Sequence, residues 1–340
     1  MSRIALLLLF RRTLLAIPIL LCVSALVFVI LRLLPADPVA MSLPPGASAA
    51  DMEKLRQAFG LDRPLPVQYV IWLGKLATGD LGVSIYFRRS VAELIATALP
   101  ATLELVAVGL ALGVALGVAG GLAMFAWRGR AGEQALDLGA AGLMAIPEFL
   151  WAILLILLFG VAWPVMPFIG RLSPDIALPA PLTGFLLLDS LARLRLDVFA
   201  SALAHLALPA VALAIGVAPL VMRVLRSSLL DVIQEDYVTQ ARLRGIPERT
   251  VVVRHALRNA ALPTISLIGV QAGFMFGGTV LVEMIFAYPG LGNLMVDAVR
   301  NHDLPVIQAV GLVYCVLVLG INAAVDVLYL AVNPRLRTPA

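Results

Sequence analysis

The sequence predicts an all-α polytopic membrane protein with six transmembrane helices and a small extracytoplasmic domain between the first two. Of its 340 residues, 61% are hydrophobic and only 14% charged, against about 45–50% apolar and 25% charged in a soluble domain. Six apolar runs are long enough, or nearly so, to cross a hydrocarbon core of about 30 Å as helices, the form that satisfies backbone polar groups within each segment. The basic residues fall between these runs rather than in one patch. The net charge of +4 therefore reads as a topology signal, and a nucleic-acid partner is not expected.

The runs cover residues 13–31, 105–127, 138–147 continuing through 149–170, 206–222, 262–282 and 304–325. Residues 1–34 hold the first. Arg3, Arg11 and Arg12 precede it as they would a cleaved signal peptide. However, the run is long, and the nearest A-x-A pattern, Ala47-Ser48-Ala49, lies well beyond its end, so a retained anchor is expected. The third run alone is interrupted by a charge, Glu148, beside Pro147. Assigning the N-terminus, residues 128–137, residues 223–258 and the tail to the cytoplasm places 14 of 25 basic and six of 21 acidic residues there. Both termini are then expected inside, since positive flanks are held in the cytoplasm.

Residues 35–100 form the extracytoplasmic segment. Ser48 can cap a short amphipathic helix ending before Gly60, and Ser90 with Glu93 makes an S-x-x-E capping box leading into the second span. An ordered domain on the membrane surface is expected, serving as a rigid cover for the bundle or as a docking face for a soluble partner. Residues 101–335 carry the remaining spans. Within them, residues 166–204 are rich in proline and apolar residues and read as a loop with an interfacial helix, a seventh helix being the alternative.

On the cytoplasmic side, residues 226–260 are the most informative. Asp231 to Arg244 has helical character, Gly245 can end it in a left-handed turn, and Pro247 can start a second helix through about Leu257. The product is a helix-turn-helix, or else an ordinary basic loop. Val251, Val252, Val253 and Leu257 would be its apolar anchors.

Gly109, Gly113, Gly117 and Gly121 recur every four residues in the second span, and Gly269, Gly273 and Gly277 do so in the fifth. Small residues on one face let helix backbones approach closely where lipid offers no hydrophobic driving force. Glu148 is costly at depth and should face a cavity or a partner, or be protonated. Gln271, Thr279, Glu283 and Asn322 are the other candidates for lining a pathway, each equally readable as a packing contact.

Signatures of catalysis are missing. The sequence holds no G-x-x-x-x-G-K-[ST] phosphate loop, no H-E-x-x-H and no G-x-S-x-G, and His205, His255 and His302 lie on separate elements. Cys22 and Cys315 sit inside apolar runs with no ligand spacing. Neither an enzymatic activity nor a cofactor or metal on this chain is expected.

Several motifs in order carry a resemblance. Arg223 and Arg226 are followed by Gln234-Glu-Asp-Tyr237, Ala241-Arg-Leu-Arg-Gly245 and Arg254-His255-Ala-Leu-Arg-Asn259-Ala-Ala-Leu-Pro263. Further matches run through the chain: Leu34-Pro-Ala-Asp37-Pro38, Gly79-Asp-Leu-Gly-Val-Ser84, Leu99-Pro-Ala-Thr102, Pro147 with Phe149, Thr183-Gly184 with Asp189-Ser190, His205-Leu-Ala-Leu-Pro209, Glu283 with Pro289-Gly-Leu-Gly292, Asp303, and Asn333-Pro-Arg335. Together they resemble the B-type permeases of ABC importers in the dipeptide, oligopeptide and nickel class.

The resemblance implies a type I ABC importer permease fold in a bacterial inner membrane. The implied partners are a homologous C-type permease, two ATPase subunits that hold ATP and Mg, an extracytoplasmic solute-binding protein and membrane lipids. It further implies that Tyr237, Ala241, Arg244, Gly245, Arg249, Arg254, His255, Asn259 and Pro263 couple the chain to the ATPases. Two departures stand out. The E-A-A-x-x-x-G signature survives only as Ala241 and Gly245, with Thr239 and Gln240 in its first places, and Arg244 stands where lysine is common. A secondary transporter is the alternative reading, but it would show midplane ion-binding carboxylates, of which Glu148 is the lone candidate, and recognisable repeats.

Overall fold

The computed structural model describes residues 3–33 and 62–332. The expected helix after Ser48 and the motifs at residues 34–38 and 333–335 lie outside the described residues. Eleven helices follow in order: α1 (Arg3–Leu33), α2 (Leu65–Ala77), α3 (Val91–Ala126), α4 (Ala131–Ala145), α5 (Glu148–Ala162), α6 (Leu186–Ala192), α7 (Leu196–Val232), α8 (Asp236–Leu243), α9 (Glu248–Ile285), α10 (Leu291–Arg300) and α11 (Leu304–Val332). Among the described residues no β-strand forms beyond the isolated pairing of Val83 with Ser90.

Five helices, α1, α3, α7, α9 and α11, are each long and apolar enough to cross a membrane. The third predicted span differs from the sequence expectation. It is a broken pair, α4 and α5, meeting at 96°. Pro147 causes the break, because its ring disfavours helical backbone at the preceding residue, and Ile146 is extended with ψ of 125°. Glu148 accordingly begins α5 instead of interrupting a straight span. The region read as a loop with an interfacial helix does contain one short helix, α6. No seventh span forms there.

The α3–α7 pair is the centre of the bundle, and α3 meets α7 through its glycines. A methyl group built on Gly109 would lie 3.1 Å from Leu213 Cβ, on Gly113 3.0 Å from Val217 Cβ, on Gly117 2.5 Å from Val221 Cβ, and on Gly121 2.8 Å from the Met222 carbonyl oxygen. Four-residue spacing on one helix thus meets four-residue spacing on the other, and only bare Cα atoms permit the approach. Leu105, Leu206, Leu213, Val217, Met275 and Phe276 close the core from α3, α7 and α9.

The second glycine stripe behaves differently along its length. Gly269 is pressed against Val325 of α11, Gly273 has Val318 at 3.7 Å, and nothing lies within 4 Å of Gly277. One stripe is a seam throughout, and the other closes only at its Gly269 end.

Between the first two long helices, α2 lies along α1 without burying a residue fully. Tyr69 and Ser24 share a 2.8 Å hydrogen bond, and Phe28, Tyr69 and Trp72 pack ring to ring. The expected capping box does not form. Ser90 makes no side-chain cap, the Val91 N–H is taken by the Gly82 carbonyl, and Glu93 turns to Arg89.

The two stripes predict opposite responses. Gly117→Ala should destabilise the chain by about 1–3 kcal/mol, the usual cost of overpacking. Gly277→Ala should change stability by no more than about 1 kcal/mol, because its methyl enters open space. Thermal unfolding of both variants in detergent checks this, and an equal response would refute the difference between the seams.

Candidate functional site

The hairpin between α7 and α9 is built by one turn. α7 ends at Val232, Ile233–Glu235 break the helix, and α8 follows, so the single helix expected from Asp231 to Arg244 is two pieces. Gly245 then adopts φ of +77°, the left-handed conformation that only glycine takes without strain, and nothing lies within 4 Å of its missing Cβ. Pro247, with φ of −56°, precedes the first turn of α9.

The second helix of the hairpin does not stop near Leu257 as the sequence suggested. It passes through a π-helical stretch, Val251–Ala256, and continues without interruption to Ile285. Its expected apolar anchors also divide. Val251 is fully buried with Val238 and Ala241, Val252 and Leu257 pack partly against the α3–α7 cytoplasmic end, and only Val253 is open, at 58% exposure. Leu243, which the sequence reading passed over, is 82% exposed at the tip.

Two side-chain ties stiffen the hairpin. Arg242 donates to both carboxylate oxygens of Glu248, at 2.7 and 3.0 Å, across the Gly245 turn. Asn259 Nδ2 donates to Tyr237 Oη at 2.7 Å, joining two of the predicted coupling residues. Ala241 is buried inside the hairpin, and His255 is half-buried. Arg244, Arg249 and Arg254 are exposed with no acidic partner among the described residues, and Pro263 is exposed farther along α9. Behind them, Arg223 Nε reaches Asp137 at 3.0 Å and Arg226 pairs with Glu133, fixing α7 to α4.

The opposite end of the bundle is organised by buried carboxylates that hold backbone N–H groups. Glu283, expected to line a pathway, is instead completely buried. Its oxygens accept from Thr102 Oγ1 at 2.6 Å and from the Gly292 and Asn293 N–H groups at 2.7 and 3.2 Å, while Thr102 accepts from the Leu291 N–H at 2.7 Å. Glu283 therefore caps α10 from α9. Asp303 likewise accepts from Ser84 Oγ and from the Ile85 and Tyr86 N–H groups. Glu104 holds the Leu187 N–H at 2.7 Å and Arg171 at 2.6 Å.

Asp189 gathers the N–H groups of Leu182, Thr183 and Gly184 and the Thr183 hydroxyl. Burial alone would raise its pKa, but these donors outweigh it and hold the carboxyl below its ordinary value of 3.8. Thr102, Glu283, Gly290–Gly292, Ser84, Asp303 and Asp189 were all legible as motif residues; their mutual contacts were not.

The remaining pathway candidates lie deeper. Glu148 sits between Gly216 of α7 and Gly278 of α9, where added methyl groups would come 2.9 and 1.8 Å from its carboxylate oxygens. Thr279 is buried, and its hydroxyl returns to the Phe276 carbonyl of its own helix. Gln271 and Asn322 are half-buried on α9 and α11. The structure brings none of these three onto Glu148.

Comparison with known proteins places this arrangement. A family model described as "Binding-protein-dependent transport system inner membrane component" matches residues 109–338, and its N-terminal companion matches residues 5–106. The chain is 37% identical over 334 residues to the di/tripeptide transport system permease protein DppB of Pseudomonas aeruginosa, covering 96% of this chain and 97% of that one. It is 37% identical over 328 residues to the glutathione transport system permease protein GsiC of Salmonella choleraesuis, with coverage of 96% and 97%. Among solved structures, an inward-facing MetNI methionine ABC transporter chain is similar in fold, with a TM-score of 0.54 and 17% identity over 71% of this chain and 96% of that one.

Two expectations follow from the carboxylate cradles. Glu283→Ala strands three donors in the interior and should cost about 3 kcal/mol or more, with amide exchange rising at Leu291–Asn293. Asp189 titrates lower when folded than when unfolded, so its contribution is complete above the ordinary value of 3.8 and is lost as pH falls through the folded value. Exchange at Leu182–Gly184, corrected for intrinsic rate, should stay slow from neutral pH down to about 5 and quicken only in stronger acid. Early loosening near pH 6 would contradict the assignment.

Proposed function

The chain belongs to the family of binding-protein-dependent transport system inner membrane components, and from that premise we propose that it forms half of the pathway of a peptide-importing ABC transporter by alternating access. It is a multi-pass inner-membrane permease subunit, not an enzyme. Its family works with ATPase and substrate-binding protein partners. The finer assembly proposed is one homologous C-type permease, two ATPase subunits carrying ATP and Mg, one extracytoplasmic receptor, and both termini of this chain in the cytoplasm. The names of its relatives, covering di- and tripeptides and glutathione, support a small peptide as cargo.

The observation that carries the coupling role is the continuity of α9. The helix begins beside the Gly245 turn and runs 38 residues into the core at Thr279 and Glu283, a length of about 57 Å at 1.5 Å per residue. A push on the hairpin is a push on the bundle. Rigid-body motion of this kind needs a stiff element at the contact, and the Arg242–Glu248 and Asn259–Tyr237 ties supply stiffness at its base. Exposed Arg244, Arg249 and Arg254, with Leu243 and Val253 between them, offer a positively charged, partly apolar face to an ATPase groove.

Gly245→Val tests the coupling. The substitution forces a β-branched residue to φ of +77°, at a cost of about 1–3 kcal/mol of local strain, and touches no spanning helix. In the reconstituted complex, uptake per ATP hydrolysed should fall severalfold while the subunit still inserts. Normal uptake with a normal ratio to hydrolysis would place the coupling elsewhere.

A further inference from the structure

We propose that Glu148 receives the terminal ammonium group of the cargo as it crosses the membrane, an inference that rests on the peptide reading above. The first support is electrostatic. The carboxylates of Glu104, Asp189, Glu283 and Asp303 are each saturated by N–H or O–H donors or a guanidinium, and Asp326 is paired with Arg12 at 2.6 Å. Glu148, on the bent apolar pair α4–α5, has no hydrogen-bond donor or cation on it from the described residues. A bare carboxylate at depth costs a few kcal/mol and persists where function supplies its partner.

The second support is the shape of its surroundings. The 96° bend at Pro147 turns the start of α5 inward, and the carboxylate enters a slot between the backbones of α7 and α9. Gly216 and Gly278 keep that slot open, since a methyl on Gly278 would stand 1.8 Å from Oε1. Two independent helices therefore lack a side chain at the one height where the acid sits.

The third is what borders the slot. Along α9, Gly278 shares a face with Phe274, one turn earlier, and Leu281, one turn later; Phe274 is 72% exposed and Leu281 is also open. The acid thus lies at the margin of a face that this chain leaves uncovered. An ammonium group there would find a carboxylate for its charge and an aromatic ring within a turn, a pairing that binds alkylammonium groups well. A metal ion fits poorly, because no group of three or more His, Cys, Asp or Glu converges among the described residues, and hard cations require several oxygen ligands.

The test uses the full complex of both permeases, the ATPases and the receptor in liposomes, with radiolabelled tri-alanine as the probe. Uptake per ATP hydrolysed should fall about tenfold or more in Glu148→Gln, since removing the charge strands the ammonium, and Glu148→Asp, which keeps the charge, should retain much of it. Equal losses in the Gln and Asp variants would mark a packing role and overturn the assignment. So would unchanged uptake in Glu148→Gln, the result expected of an acid that is simply protonated. Dissociation of the permease pair in the Gln variant would assign the acid to a cation of the partner subunit, again overturning the proposal. Failure of the wild-type complex to import any amine-bearing peptide would remove the peptide reading together with this one, whereas wild-type import that ignores residue 148 removes this one alone.

Discussion

The approach of α3 to α7 is the constraint on which the bundle depends. Lipid gives helices no hydrophobic reason to associate, so van der Waals contact at short range has to hold them. Gly109, Gly113, Gly117 and Gly121 bring that contact to backbone distance, with Leu213, Val217, Val221 and Leu225 seated over them in register. Everything else is placed relative to this pair. α9 packs onto α7, the broken α4–α5 pair wraps α7 from outside the seam, and α10 and α11 reach the core through α9 and α3.

A seam of that kind fixes helices but leaves their connections free, and here the connections are fixed by carboxylates. Glu283 sits on α9 yet orders the start of α10, and Asp303 sits before α11 yet orders residues 84–86. Glu104 on α3 orders the start of α6. In each case an acid on or beside one helix satisfies N–H groups of another segment, nine or ten residues away for Glu283 and far away in the chain for Glu104 and Asp303. Such groups would otherwise be unpaired at the edge of the membrane, where a lost hydrogen bond is expensive. These segments are thereby fixed to the bundle.

The hairpin around Gly245 follows a different design. Its ties, Arg242 to Glu248 and Tyr237 to Asn259, are partly exposed and lie within one hairpin rather than across the bundle. Exposed pairs contribute little to overall stability. What they do is hold the geometry of the hairpin at one end of α9, the helix whose other end carries the buried Glu283.

Much of this was written in the one-dimensional pattern. Run lengths identified the spans, the four-residue glycine repeat identified the seam, Gly245 followed by Pro247 identified the turn, and the order of motifs identified the family, because periodicity, backbone permissiveness and composition are properties of local sequence. Other features were invisible to it. That Pro147 would break its span by 96° while Pro100, Pro209, Pro219 and Pro263 remain inside helices depends on what neighbouring helices pack around each proline. Glu148 and Glu283 both read as candidates for lining a pathway, yet one meets two glycine backbones and the other a helix N-terminus. The second glycine stripe read like the first, but only Gly269 is closed on. Partners that lie far away in the chain, as Asp303 lies 219 residues from Ser84, are chosen by how the helices assemble, so the role of each acid was settled in three dimensions.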